Sequence, residues 1–298
     1  MTAPAIDSRA ALPRPRSAGC DLLRRLVRDK PLGAAGAAIS VLFLLCGILA
    51  GVLAPRGINQ VDLAHRLEPP SLQFLLGTDA LGRDLFSRIL HGARLSVIVG
   101  FSGAAIATAL SLVIGVVTGY VGGRLDLVVQ RLVDAWMAFP GLVLLIVVIA
   151  VVGPGMPQII VVLGLLYGIA GSRIVRGAVV SAREQMYVHA ARSTGAGTLW
   201  ILRRHVVPNV MPLIIVLFTT RVGAVILSEA GLSFLGLGIP PPAPTWGGML
   251  SGSGRAYMPM GPWLALAPGL CLTIVVYAVN VFGDALRDLL DPRMRGIR

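Results

Sequence analysis

Few residues in this sequence are of a type that does covalent or metal chemistry, and their spacing excludes most of it. The four histidines, His65, His91, His189 and His205, are scattered, and no His/Asp/Glu grouping has metal or acid–base spacing. The three cysteines, Cys20, Cys46 and Cys271, show neither CxxC nor metal-site spacing. Lys30 is the only lysine, and no glycine-rich loop precedes it. A Walker A loop sets its lysine on nucleotide phosphates, so this chain does not hydrolyse ATP by that route. What remains are charges set among apolar runs. Arg221 lies inside one run, with Glu229 eight residues on, near its far end, roughly on the same helical face. Asp134 stands at the start of another. Charges within a membrane are costly and face a partner or a wet cavity. Two readings stay open for Arg221: it lines a translocation path, or it makes a structural pair with another helix or subunit.

Such charges need spans to hold them. The 298 residues have a mean hydropathy of +0.81 and only 13% charged side chains, which does not describe one soluble domain. A bilayer crossing takes about 20 apolar helical residues. Apolar runs, charge-free except for Arg221 in the fifth span, predict spans over Leu32–Ala54, Leu95–Gly123, two within Ala135–Ser172, then Val206–Leu227 and Trp263–Phe282. Gly153-Pro154-Gly155-Met156-Pro157 divides the long run into a tight hairpin. The fold class expected is therefore all-α and polytopic, with six transmembrane helices. Within the polar excursion Pro55–Arg94, a short amphipathic helix is expected, with Asp79 as its N-cap, an Asp84–Arg88 pair and a Leu81/Leu85/Ile89 stripe. Leu232–Pro262 is rich in Gly and Pro and reads as an extracytoplasmic gate or re-entrant loop, with Trp246 near the interface. Gly47/Gly51, Gly115/Gly119 and Gly164/Gly168 have the spacing of close helix contacts.

The net charge of +12 raises nucleic acid as a partner, but the basic residues border the apolar runs, as membrane topology requires, so no nucleic acid is expected. With the N-terminus inside, the four inner segments hold 19 Lys/Arg and the three outer segments 6. This bias places Arg183–Asn209, REQMYVHAARSTGAGTLWILRRHVVPN, in the cytoplasm. Its adjacent alanines leave a smooth surface, Gly195 and Gly197 break the helix, and Pro208 opens the next run. A short helix, a turn and a second helix suit a docking element on a membrane face, or an amphipathic interfacial linker.

At these residues the sequence resembles a known family. Ala190-Ala191, Gly195 and Val206-Val207-Pro208-Asn209 are similar to the "EAA" loop of permease subunits in bacterial ABC importers, with His189 where the family has glutamate. LGTDALGRDLFSRILHGAR, VDAWMAFPGLVLL, SFLGLGIPPPAPTWGG and the ending around Asn280, Gly283-Asp284 and Asp291-Pro292-Arg293 resemble the dipeptide/oligopeptide/nickel class. The resemblance implies a type I, MetI-like permease fold and a subunit of an ATP-driven importer in the bacterial inner membrane, not an enzyme. Expected partners are a second permease, two ATPases that use ATP and Mg, a solute-binding protein and membrane lipid; no cofactor or metal is expected on this chain. Glu184, His189, Ala190, Ala191, Gly195 and Pro208 would then form the ATPase-coupling surface, and Arg221, Glu229 and Asp134 would line the path. Peptides are the expected cargo, with nickel or another small solute as the alternative. A self-sufficient secondary transporter or channel is the competing class. The expected division is a cytoplasmic tail 1–30, a first helix with extracytoplasmic segment 31–94, a core 95–283 with coupling loop 181–209, and a cytoplasmic tail 284–298.

Overall fold

The computed structural model describes residues 18–290, which are helical with loops and no strand among them. Asp291-Pro292-Arg293, and residues 1–17 of the expected tail, lie outside the described residues. An amphipathic helix α1 (Ala18–Asp29) leads into α2 (Pro31–Ile48), continued after Leu49 by the short α3 (Ala50–Leu53). Then come α4 (Leu85–Val121), α5 (Gly123–Met137), α6 (Gly141–Val152) and α7 (Met156–Arg183). Two short helices, α8 (Met186–Ser193) and α9 (Thr198–Ile201), precede α10 (Val207–Phe234). The chain closes with α11 (Trp246–Leu250), α12 (Gly252–Tyr257) and α13 (Trp263–Leu290).

Five helical stretches are long and apolar enough to cross a membrane. A sixth crossing exists only if α5 and α6 count as one span, and they meet at 89°. The break falls at Pro140, which caps α6 and cannot continue the helix before it. With 12 residues, α6 is about 18 Å long, short of the bilayer core by itself.

Several sequence-based boundaries move: α7 continues past Ser172 to Arg183, and α10 past Leu227 to Phe234. The second span does not begin at Leu95 behind a separate amphipathic helix; α4 runs unbroken for 37 residues from Leu85. Its N-cap is Asp84, which accepts the Ser87 N–H at 2.9 Å, and not Asp79. Asp79 organises the turn before it, taking the N–H groups of Leu81 and Arg83 at 2.8 and 3.0 Å and the Arg83 Nε at 2.6 Å. The expected Asp84–Arg88 pair is replaced: Arg88 donates to Ile58 O at 3.0 Å and faces Asp79 at 3.7 Å. Likewise α13 extends past Phe282 to Leu290.

Glycines decide how closely the long helices approach. A Cβ at Gly115 or Gly119 of α4 would lie 2.6 and 2.9 Å from Val175 and Val179 Cβ of α7. Conversely, one at Gly164 or Gly168 of α7 would lie 2.5 and 2.8 Å from Ile106 and Leu110 of α4. Both expected small-residue pairs thus mark a single seam, α4 against α7, where backbones nearly touch. Gly47 of α2 abuts Val97 of α4 at 2.9 Å, while Gly51 faces open space.

The Gly/Pro-rich segment after α10 folds back over the bundle instead of standing at its rim. Trp246 is 2% exposed, packs with Phe43 and Ile226, and donates its indole N–H to Ile89 O at 3.1 Å. The ring is therefore buried within the protein rather than exposed at its surface. It rests on Gly92, where a Cβ would lie 2.7 Å away, so the site is made by an element far off in sequence.

Candidate functional site

The Arg183–Asn209 segment forms the predicted helix–turn–helix, with one addition. After α8 the chain turns at Gly195, whose φ of +80° is a left-handed conformation that glycine takes at little cost. It then enters α9 and, through a π-helical turn over Leu202–Val206, runs straight on into α10. The second helix of the loop is thus the first turns of a span.

The loop is fastened to the bundle from inside. Val188 of α8 and Ile201 of α9 are 0% and 1% exposed, in a cluster with Tyr120, Val175, Val179, Val206 and Val210. Around this plug, Arg183 donates to Tyr120 O at 3.1 Å, and Arg192 lies over the Tyr120 ring at 5.2 Å. The C-terminal ends of α4 and α7 and the π-helical turn that leads into α10 therefore meet α8. An 8-residue helix is marginal alone, so these contacts must hold it. The outer side of the loop is bare: Met186 and Tyr187 of α8 are 84% and 40% exposed, and Leu199 and Trp200 of α9 are 68% and 53% exposed. Ala190, Gly195 and Pro208 are exposed and Ala191 is half-buried against the cluster. Glu184 lies 3.0 Å from Arg183 Nε and 3.7 Å from His189 Nε2.

The intramembrane charges do not converge. Arg221, midway along α10, lies with its guanidinium 5.0 Å from the Tyr167 ring centre of α7 and lines a cavity of about 430 Å³. Glu229 is 2% exposed and accepts the Ser233 hydroxyl at 2.6 Å, away from that cavity. Asp134 pairs with Arg173 across α5 and α7, and Arg131 stands 3.8 Å off. A neighbouring bridge that sequence reasoning missed runs from Arg176 to Asp126, at 2.6 and 2.5 Å. The signal was present: Asp126 and Asp134 on α5, and Arg173 and Arg176 on α7, recur near helical spacing.

Residues 111–296 match the family of binding-protein-dependent transport system inner membrane components. The chain belongs to that family. It is 40% identical over 276 residues to a peptide transport system permease protein of Brucella abortus, covering 91% of each. It is 37% identical to the dipeptide transport system permease protein DppC of Alkalihalophilus pseudofirmus, covering 92% of this chain and 90% of the relative. With the glutathione transport system permease protein GsiD of Escherichia coli, identity is 39% over 91% of this chain and 90% of that one. Among solved structures, the inward-facing MetNI methionine ABC transporter aligns with a TM-score of 0.56 at 20% identity, over 68% of this chain and 96% of that one. At that identity the likeness shows the fold alone: the MetI-type permease bundle. The family resemblance read from the sequence is borne out, as is a multi-pass inner-membrane permease subunit in place of an enzyme.

Proposed function

We propose that this permease subunit passes peptides delivered by a solute-binding protein, together with a second permease and two ATPases that use ATP and Mg. The observation that carries the cargo is the agreement of relatives at 37–40% identity over nine-tenths of the chain, named for peptide, dipeptide and glutathione transport. Peptides and glutathione share an amide backbone and a carboxylate, which favours them over nickel. The excess of Lys/Arg on the segments bordering α8 supports a cytoplasmic placement for that end and for both termini.

In this mechanism α8 docks on an ATPase, with Ala190, Ala191 and Gly195 giving a smooth approach and Glu184 and His189 its polar edge. The buried Val188 and the Tyr120 contacts pass its displacement into α4, α7 and α10. The helices then rock between inward- and outward-facing arrangements, which is alternating access by rigid bodies. Arg221 lines the path; Asp134 and Glu229, held by Arg173 and Ser233, stabilise the helices beside it.

The test is a mild-detergent pull-down with partners identified by mass spectrometry, paired with uptake of a labelled dipeptide in cells lacking the chromosomal copy. Recovery of a second permease and Walker A ATPases, lost in Gly195→Asp while the permease stays folded, supports the assembly. A protein that purifies alone and transports without ATPases overturns it.

A further inference from the structure

Arg221 is a cation in the middle of a span with no anion of its own. Among the described residues no carboxylate comes within 4.0 Å of it, and it donates no hydrogen bond inside the chain. Its five N–H donors are unspent. Charge at that depth is kept where something wet or ionic meets it.

The surroundings hold the guanidinium in place without neutralising it. The Tyr167 ring supports one face, and the tyrosine hydroxyl is fixed back onto α10 by a 2.7 Å hydrogen bond with Ser228. Arg221 is therefore stacked on one side and free to donate on the other, into the cavity of about 430 Å³. That cavity has an apolar wall that includes Phe139, Leu142 and Leu145. Trp136 also lines it, and its indole N–H is buried without an acceptor among the described residues. One stacked cation beside an apolar wall fits a small ligand with a carboxylate next to an apolar group.

We propose that Arg221 forms a carboxylate subsite within the translocation path, taking the C-terminal carboxylate of the imported peptide while the Phe139–Leu142 wall takes its last side chain. The assignment rests on the peptide reading above. Tyr167 and Ser228 act as positioning residues: the ring supports the guanidinium and the serine fixes the tyrosine hydroxyl, although both also border the cavity.

The test uses the complete transporter, purified without its binding protein, and titrates trialanine and trialanine amide onto it. Wild type is expected to bind the free acid roughly tenfold or more tighter than the amide, the usual scale for a hydrogen bond to a charged group. Arg221→Gln should bring that ratio near one, and Arg221→Lys should keep most of it. An unchanged ratio in Arg221→Gln, or no binding of trialanine to wild type, overturns the subsite. Loss of the second permease from Arg221→Gln, but not from Arg221→Lys, also overturns it, because the charge would then serve a partner carboxylate. Trialanine uptake by the wild-type transporter with its binding protein is measured alongside. Its absence would remove the peptide reading itself, whereas uptake with an unchanged ratio removes only the subsite.

Discussion

Replacing Val188 with alanine should loosen α8 from the bundle while leaving its outer surface intact. Val188 is fully buried among Tyr120, Val175, Val179 and Ile201, and nothing else in α8 itself is buried. The change deletes two methyl-sized groups from a closed site, worth about 1.6 kcal/mol by transfer and about 2 kcal/mol once the residual void is added. Because so short a helix has little stability of its own, that loss falls almost entirely on local opening. Opening should become roughly thirtyfold more frequent. Amide hydrogen exchange of α8 in the purified complex reads this directly, and ATP-driven uptake should fall while basal ATPase activity persists. Met186→Ala is the comparison: at 84% exposure it should leave α8 exchange unchanged and weaken ATPase retention. Unchanged α8 exchange in Val188→Ala would refute the idea that the buried plug holds the helix.

Three further outcomes follow from contacts described above. Trp246→Phe removes the pyrrole half of a buried indole together with its 3.1 Å bond to Ile89 O, costing about 2 kcal/mol and lowering the apparent melting temperature by about 6 °C in a scanning assay. Gly168→Leu drives a side chain into Leu110 and the Ala107 carbonyl, where even a Cβ would lie at 2.8 and 3.1 Å; α4 and α7 must separate, and folded yield by size-exclusion chromatography should collapse. Asp126→Asn and Arg176→Gln, measured singly and together by thermal unfolding, should show a coupling of about 1 kcal/mol, limited because Arg176 is 34% exposed; strict additivity would mean the bridge contributes nothing.

Which parts of this architecture were legible follows from what each feature depends on. The spans could be placed because a charge-free run is a property of the segment itself. The start of α4 was misplaced because a helix does not end where its sequence turns polar: only a cap ends it, and Asp79 and Asp84 compete for that role within one turn-rich stretch. Backbone geometry, invisible in the letters, gave the cap to Asp84. The burial of Trp246 was not legible for a different reason. A lone tryptophan in a Gly/Pro loop looks interfacial, and the groove that buries it is built by Gly92 and Ile89, more than 150 residues earlier. The coupling loop stood out because its small residues and turn glycines are local. The fastening of that loop by Val188 and Tyr120 did not, since a single valine carries no sign of what it will touch.

The unbroken course of α4 constrains how this chain can change over generations. At 37 residues it is about 55 Å long, joining the Asp84 cap to Tyr120, where the coupling loop is fastened. One inserted or deleted residue would turn everything beyond it by about 100°, presenting the wrong side to α7 and pulling Gly115 and Gly119 off their seam. Length changes should therefore accumulate in the segment before Asp84 and in the turn after Val121, while the interval between them stays fixed in number even as its apolar residues are exchanged. A drift that sequence divergence alone would permit is closed off by the arithmetic of one helix.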